Sequence, residues 1–136
     1  MQKPKKFEFL EHTADAKFRA YGADAEAAFA NAAMALAKLI NEKKAKPKIK
    51  KIIKAKGKDE KSLLYHFLEE FLVLFDSENF LLSKIRVKIR GNSIDAEAFG
   101  EEGKFINEGG VKAITYNEME IGKEKNKYFV QVVVDV

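Results

Sequence analysis

Two places in the chain gather residues able to do chemistry. His12-Thr13-Ala14-Asp15 is a polar cluster between two apolar stretches, and the chain closes as an apolar run that finishes in Asp135-Val136. A carboxylate one residue from the end of a buried strand, beside the terminal carboxylate, places two anions at one point, and Asp15 would make a third. Two unit charges about 4 Å apart repel by roughly 4 kcal/mol at an effective dielectric near 20. Such a cluster needs a cation, or must splay or take up protons. Oxygen-only donors select a hard cation, and Ca²⁺ tolerates irregular carboxylate and carbonyl shells better than Mg²⁺ does. Asp15, Asp135 and Val136 are therefore the candidate metal ligands, with Ca²⁺ or another hard divalent cation as the ion. Water, backbone carbonyls or a partner would complete the shell. A plainer account exists for each residue: an Asp near a chain end is often only solvated, and an Asp between strands often serves as a turn residue or cap.

Other chemistries find little material. There is no cysteine, which excludes disulfides, thiolate sites and cysteine nucleophiles and suits a reducing cytosol. The two histidines, His12 and His66, leave little for imidazole catalysis or zinc. No P-loop, nucleophile elbow or Ser-His-Asp order is present, so the expectation is a protein without enzymatic activity. No apolar run approaches the roughly 20 residues of a membrane helix, and the first residues lack a signal-peptide core. A cytoplasmic protein is expected. Net charge is only +4 although 34% of residues are charged, so both signs share the surface. The segment from Lys43 to Lys61 holds ten lysines interleaved with Ile49, Ile52 and Ile53. It reads either as an RNA-facing stripe or as a solvated strand face whose lysines guard an edge against aggregation. No aromatic residue interleaves with these lysines, which counts against single-strand binding.

The elements that must position these residues can be read from periodicity. Phe7 to Leu10 and Ala16 to Tyr21 read as strands, with Gly22 ending the second. Asp24 is a suitable N-cap, and Phe29, Ala33, Leu36 and Ile40 recur at helical spacing from Ala25 to Ile40. An extended lysine-rich segment stops at Gly57. Asp59 or Ser62 then caps a second helix to about Phe75, whose apolar set is Leu64, Phe67, Leu68, Phe71, Leu72 and Phe75. Lys84 to Arg90 alternates strictly, Gly91-Asn92 is a turn, and Ser93 to Phe99 alternates again, which predicts a hairpin. Val111 to Ile121 reads as a further segment, Asn126-Lys127 as a turn, and Tyr128 to Val136 as a strand apolar on both faces. The order β-β-α-β-α followed by strands predicts an α+β fold. One domain over residues 1–136 is expected, a mixed or antiparallel sheet with the two helices packed on one face.

Four segments, in order and spanning nearly the whole chain, resemble the archease family. They are His12-Thr13-Ala14-Asp15 with Gly22 and Ala28 to Ala33; Leu63-Leu64 through Phe67-Leu68-Glu69-Glu70 to Leu74-Phe75-Asp76-Ser77-Glu78 and Phe80-Leu81; Val111 to Tyr116; and the closing Val132 to Val136. The resemblance implies a protein cofactor of the RtcB-type 3′-phosphate RNA ligase in tRNA splicing, promoting guanylylation and repeated turnover. It also implies a link to a tRNA methyltransferase. The alternative reading is an RNA-binding module, or a chaperone-like modulator of that methyltransferase. By the same resemblance the metal, usually read as Ca²⁺, would be held by Asp15, Asp135 and Val136. The chain departs from the family pattern at Phe67, where Trp is common, and at Asn107 and Asn117, where His is expected. No role is assigned to these three.

Partner-facing candidates complete the set. Lys112 lies between Val111 and Ala113 near a double glycine, and could meet the ligase, its nucleotide or a phosphate; it is equally readable as an exposed strand lysine. His12 could orient Asp15 or face a partner, or be a hydrogen-bonded structural histidine. Asp76 and Glu78 could face a partner, or simply end a helix in solvent.

Overall fold

The computed structural model describes residues 5–11 and 15–136. His12, a candidate above, lies outside the described residues, as do Thr13 and Ala14.

The elements run β1 (Phe7–Leu10), β2 (Ala16–Gly22), α1 (Ala25–Ile40), β3 (Ile49–Lys56), α2 (Glu60–Glu78), β4 (Phe80–Arg90), β5 (Ser93–Glu102), β6 (Ala113–Ile114), β7 (Glu120–Glu124) and β8 (Lys127–Asp135). The α+β class is as expected, and every strand pairing is antiparallel. The strands divide between two sheets. One has the order β1-β2-β8-β6, with β7 also on β8; the other has the order β3-β5-β4. The crossover strand β3 follows α1 and joins the long β4–β5 hairpin instead of returning to β2. Each helix therefore touches both sheets: α1 packs on β2, β8 and β4, and α2 on β3, β4, β5, β6 and β7.

Local chemistry explains the helices. Asp24 is extended and its carboxylate accepts the Ala27 N–H at 2.8 Å, which starts α1. Asp59 closes a capping box with Ser62: the carboxylate accepts the Ser62 N–H at 2.8 Å and Ser62 Oγ accepts the Asp59 N–H at 3.2 Å. Asn79 ends α2 in the left-handed region, where its short polar side chain lowers the usual penalty. The α2 stripe read from periodicity is buried in full, with Phe67 between Phe29 and Phe71 at the centre.

The stretch read as one segment from Val111 to Ile121 is in fact two strands around a turn. Thr115 Oγ1 donates to the Val133 carbonyl at 2.8 Å and accepts the Asn117 N–H at 3.2 Å, and Glu118 takes a positive φ. A threonine-centred turn with a left-handed glutamate carries no Gly or Pro signal. Strand β8, flanked by β2 on one side and β6 and β7 on the other, is buried from Val130 to Val134, as its two-sided apolar pattern requires.

Candidate functional site

Strand β8 delivers its last residues to a defined place. The β2–β8 ladder ends with Ala16 opposite Val134, so Asp15 and Asp135 are the next residues along each chain from its last pair. On the other flank Ala113 is paired with Asp135, the last pair of that ladder. Directly opposite residues in an antiparallel pair sit with Cα atoms about 5 Å apart and side chains on one face. The two ladders thus end one residue short of Asp15 on one flank and of Lys112 and Val136 on the other. Asp15 is half-buried, whereas Asp135 and Val136 are exposed.

The end of β8 is held by a loop. The Lys112 N–H donates to the Asp135 carbonyl at 2.7 Å. Upstream, Asn107 closes the loop on itself: its amide donates to the Val111 carbonyl at 2.8 Å and accepts the Val111 N–H at 3.1 Å. The Glu108 N–H bonds the Ile40 carbonyl at the end of α1, at 2.7 Å, and the Asn41 amide holds the Ile106 carbonyl at 3.0 Å. Gly109 passes so close to α1 that a Cβ there would stand 2.1 Å from the Leu39 carbonyl oxygen. At its start the loop is fastened to the end of α2 by Asn79, through both the Phe105 carbonyl and the Phe105 N–H. One loop therefore ties both helix C-termini to the last residues of β8. Sequence reasoning gave Asn41 and Asn79 no role and left Asn107 unassigned. An Asn just past a helix end is the signal that could have found the first two.

The donor set is all oxygen. Two carboxylates brought within about 5 Å would repel by roughly 3 kcal/mol at an effective dielectric near 20, and less where water reaches them. A hard divalent cation would relieve that repulsion. No group of three or more His, Cys, Asp and Glu side chains gathers among the described residues. A centre here would therefore depend on two side chains, a backbone oxygen of Val136, and water. That set fits Ca²⁺, which accepts mixed and incomplete protein shells, better than zinc, which favours nitrogen and sulfur. Asp15 also lines an open groove with Phe9, Leu10, Glu11, Lys17 and Leu39.

The remaining candidates are placed as follows. The Lys112 side chain is exposed, and Lys112 enters the group through its backbone. Asp76 and Glu78 are exposed at the end of α2, and Glu78 pairs with Lys51 at 3.0 Å. That bond holds Lys51 protonated above its ordinary range, with Glu102 contributing, so Glu78 has a bond within the chain that accounts for its position. His66 is exposed, with its ring edge-on to Tyr65 and Glu69 at 4.0 Å.

Comparison with known proteins sets this geometry in a family. The model of the Archease protein family matches residues 7–136. An archease of Sulfurisphaera tokodaii is 41% identical, the alignment covering 96% of this chain and 99% of that one. An archease of Pyrococcus abyssi is 39% identical over 97% and 99%. The solution structure of protein 1598 of Methanobacterium thermoautotrophicum superposes with a TM-score of 0.84 at 36% identity, covering 96% of this chain and 99% of that one. The crystal structure of a Thermotoga maritima protein, described as an archease and possible chaperone, has a TM-score of 0.60 at 16% identity, covering 100% and 98%, and shares the fold.

Proposed function

Because the chain belongs to the archease family, we propose that it acts as a metal-binding protein cofactor of an RtcB-type 3′-phosphate RNA ligase in tRNA splicing. It promotes guanylylation of the ligase and its repeated turnover, and carries out no bond-making chemistry of its own. The observation that supports this reading most is that the ladders of the larger sheet end at Ala16–Val134 and Ala113–Asp135, next in the chain to Asp15 and Val136. Asp15, Asp135 and an oxygen of Val136 hold the ion. A Ca²⁺ held there would supply a concentrated positive charge toward an anionic group of the partner. The chain's own part is positional. The Lys112 N–H fixes the Asp135 carbonyl, the loop from Phe105 to Lys112 anchors that strand end to both helices, and the Lys112 side chain stays available to an anionic group of the partner.

No helix among the described residues is long and apolar enough to cross a membrane, and the cytoplasm is the proposed compartment. The test is turnover counting: ligase at limiting concentration, with and without this protein, with and without Ca²⁺. Asp135→Ala is expected to reduce the gain at least tenfold. A ligase whose guanylylation and turnover are unchanged by the protein would remove the reading.

A further inference from the structure

The outer face of the smaller sheet carries a charge pattern that neither the core nor the metal-binding end uses. On β4 the outward residues are Lys84, Arg86, Lys88 and Arg90, all exposed. On β3 they are Lys50, Ile52, Lys54 and Lys56, also exposed. The central strand β5 places Phe99, Glu97, Asp95 and Ser93 between them in register. The two acids are spent on β3, Glu97 with Lys50 at 3.3 Å and Asp95 with Lys54 at 3.7 Å. Arg86, Lys88, Arg90 and Lys56 have no ion pair among the described residues, and Lys84 lies over the Phe99 ring at 5.0 Å. Edge protection needs only an occasional lysine; four consecutive outward cations on one strand exceed it.

This face leads to an aromatic groove. Lys56, at the end of its column, lines a groove with Lys58, His66 and Tyr116. Tyr116 is half-exposed, and its ring is stacked on Tyr65 at 4.5 Å and 10°. Outward residues on one strand repeat about every 6.7 Å, a spacing suited to successive phosphates of an extended nucleic-acid strand. A rigidly backed tyrosine beside lysines is a stacking platform for a base. A bilayer or a flat acidic protein would meet Asp95 and Glu97 along the middle of the face. A narrow strand on β4 lies along the edge of the sheet, where the neighbouring Glu97 and Asp95 are bonded away from it to Lys50 and Lys54 of β3.

We infer that single-stranded RNA runs along the β4 column, phosphates on Arg86, Lys88 and Arg90, and places a base on Tyr116. The choice of RNA over DNA rests on the proposed ligase partnership; the surface itself does not. The experiment is fluorescence anisotropy of a labelled oligouridine with the whole free protein, without ligase, from 50 to about 300 mM salt. Affinity should fall with salt, and Arg86→Gln/Lys88→Gln/Arg90→Gln should lower the log–log slope by about 2, at roughly 0.7 per phosphate contact. Tyr116→Ala should weaken binding about fivefold or more. A control variant, Lys38→Gln/Lys104→Gln/Lys123→Gln, removes the same charge elsewhere and should bind nearly as the parent does. Equal losses in both triple variants, an unchanged Arg86 triple variant, no binding at low salt, or tighter binding of the matching oligodeoxyuridine would overturn the inference. Each of these can occur while ligase activation persists, so the two readings fail separately.

Discussion

The backbone N–H of Lys112 donates to the carbonyl of Asp135 at 2.7 Å, and this bond fixes where the last strand ends. It joins a loop anchored on both helices to the carboxylate-bearing tip of β8. The proposed ion site is thereby coupled to the packing of the whole domain, although its own residues are mostly exposed.

That coupling can be tested at Gly109, whose N–H bonds the Ile40 carbonyl at the end of α1 at 3.4 Å. A methyl group there would meet the Leu39 carbonyl oxygen at 2.1 Å, so the loop must lift from α1. Gly109→Ala should lower global stability by about 1–3 kcal/mol in urea unfolding. It should also weaken Ca²⁺ binding severalfold, measured by calorimetry at a temperature where the variant is fully folded. An unaltered Ca²⁺ affinity would show that the loop does not position the site.

The centre of the core gives a different kind of prediction. Phe67 is fully buried, with Phe29 at 6.2 Å and Phe71 at 5.2 Å between ring centroids. Phe67→Ala should cost about 3–5 kcal/mol, read as a lower denaturation midpoint at unchanged slope. Phe67→Leu, which leaves a smaller void, should cost clearly less.

Acid sensitivity follows from the α2 cap. The Ser62 N–H bonded to Asp59 holds that carboxyl below its ordinary value of 3.8. A carboxyl depressed in the folded state contributes stability above its unfolded value and loses it as pH falls through the folded one. The hydrogen bond from Tyr21 depresses Glu8, and the Lys46 N–H depresses Glu101, in the same sense. Asp59→Asn keeps a capping oxygen without the titration. Its stability should therefore change less than that of the parent between pH 6 and pH 2, by thermal melts across that range. Equal acid limbs would show that Asp59 does not contribute to the acid sensitivity.

The helices were legible because their signals are local. Asp24, the spacing of Phe29, Ala33, Leu36 and Ile40, and the Asp59–Ser62 box all act within a few residues, and α1 matches its reading from Ala25 to Ile40. The division into two sheets was not legible, because pairing β3 with β5 joins residues some fifty positions apart, as Ile49 with Gly100. The same holds for the face next to the lysine-rich strand. No aromatic interleaves with those lysines in sequence, yet Phe99 sits between Lys50 and Lys84 across the ladder, and Tyr116 reaches Lys56 through the tertiary fold. At the candidate metal site the residue types were readable, and the ladders end beside them in the chain at Ala16–Val134 and Ala113–Asp135. The loop that holds them was not readable, since its contacts are asparagine amides on distant backbone carbonyls.

The central claim is that Asp15 and the end of β8 form a cation site on which ligase activation depends. Its most direct test is Ca²⁺ titration by calorimetry on the whole protein, paired with ligase turnover measured on the same preparations. The parent should bind one Ca²⁺ per chain. Asp15→Asn and Asp135→Asn should each lose at least tenfold in affinity and lose activation in proportion. Full Ca²⁺ affinity in Asp15→Asn and Asp135→Asn, or full activation where Ca²⁺ binding is abolished, would contradict the account.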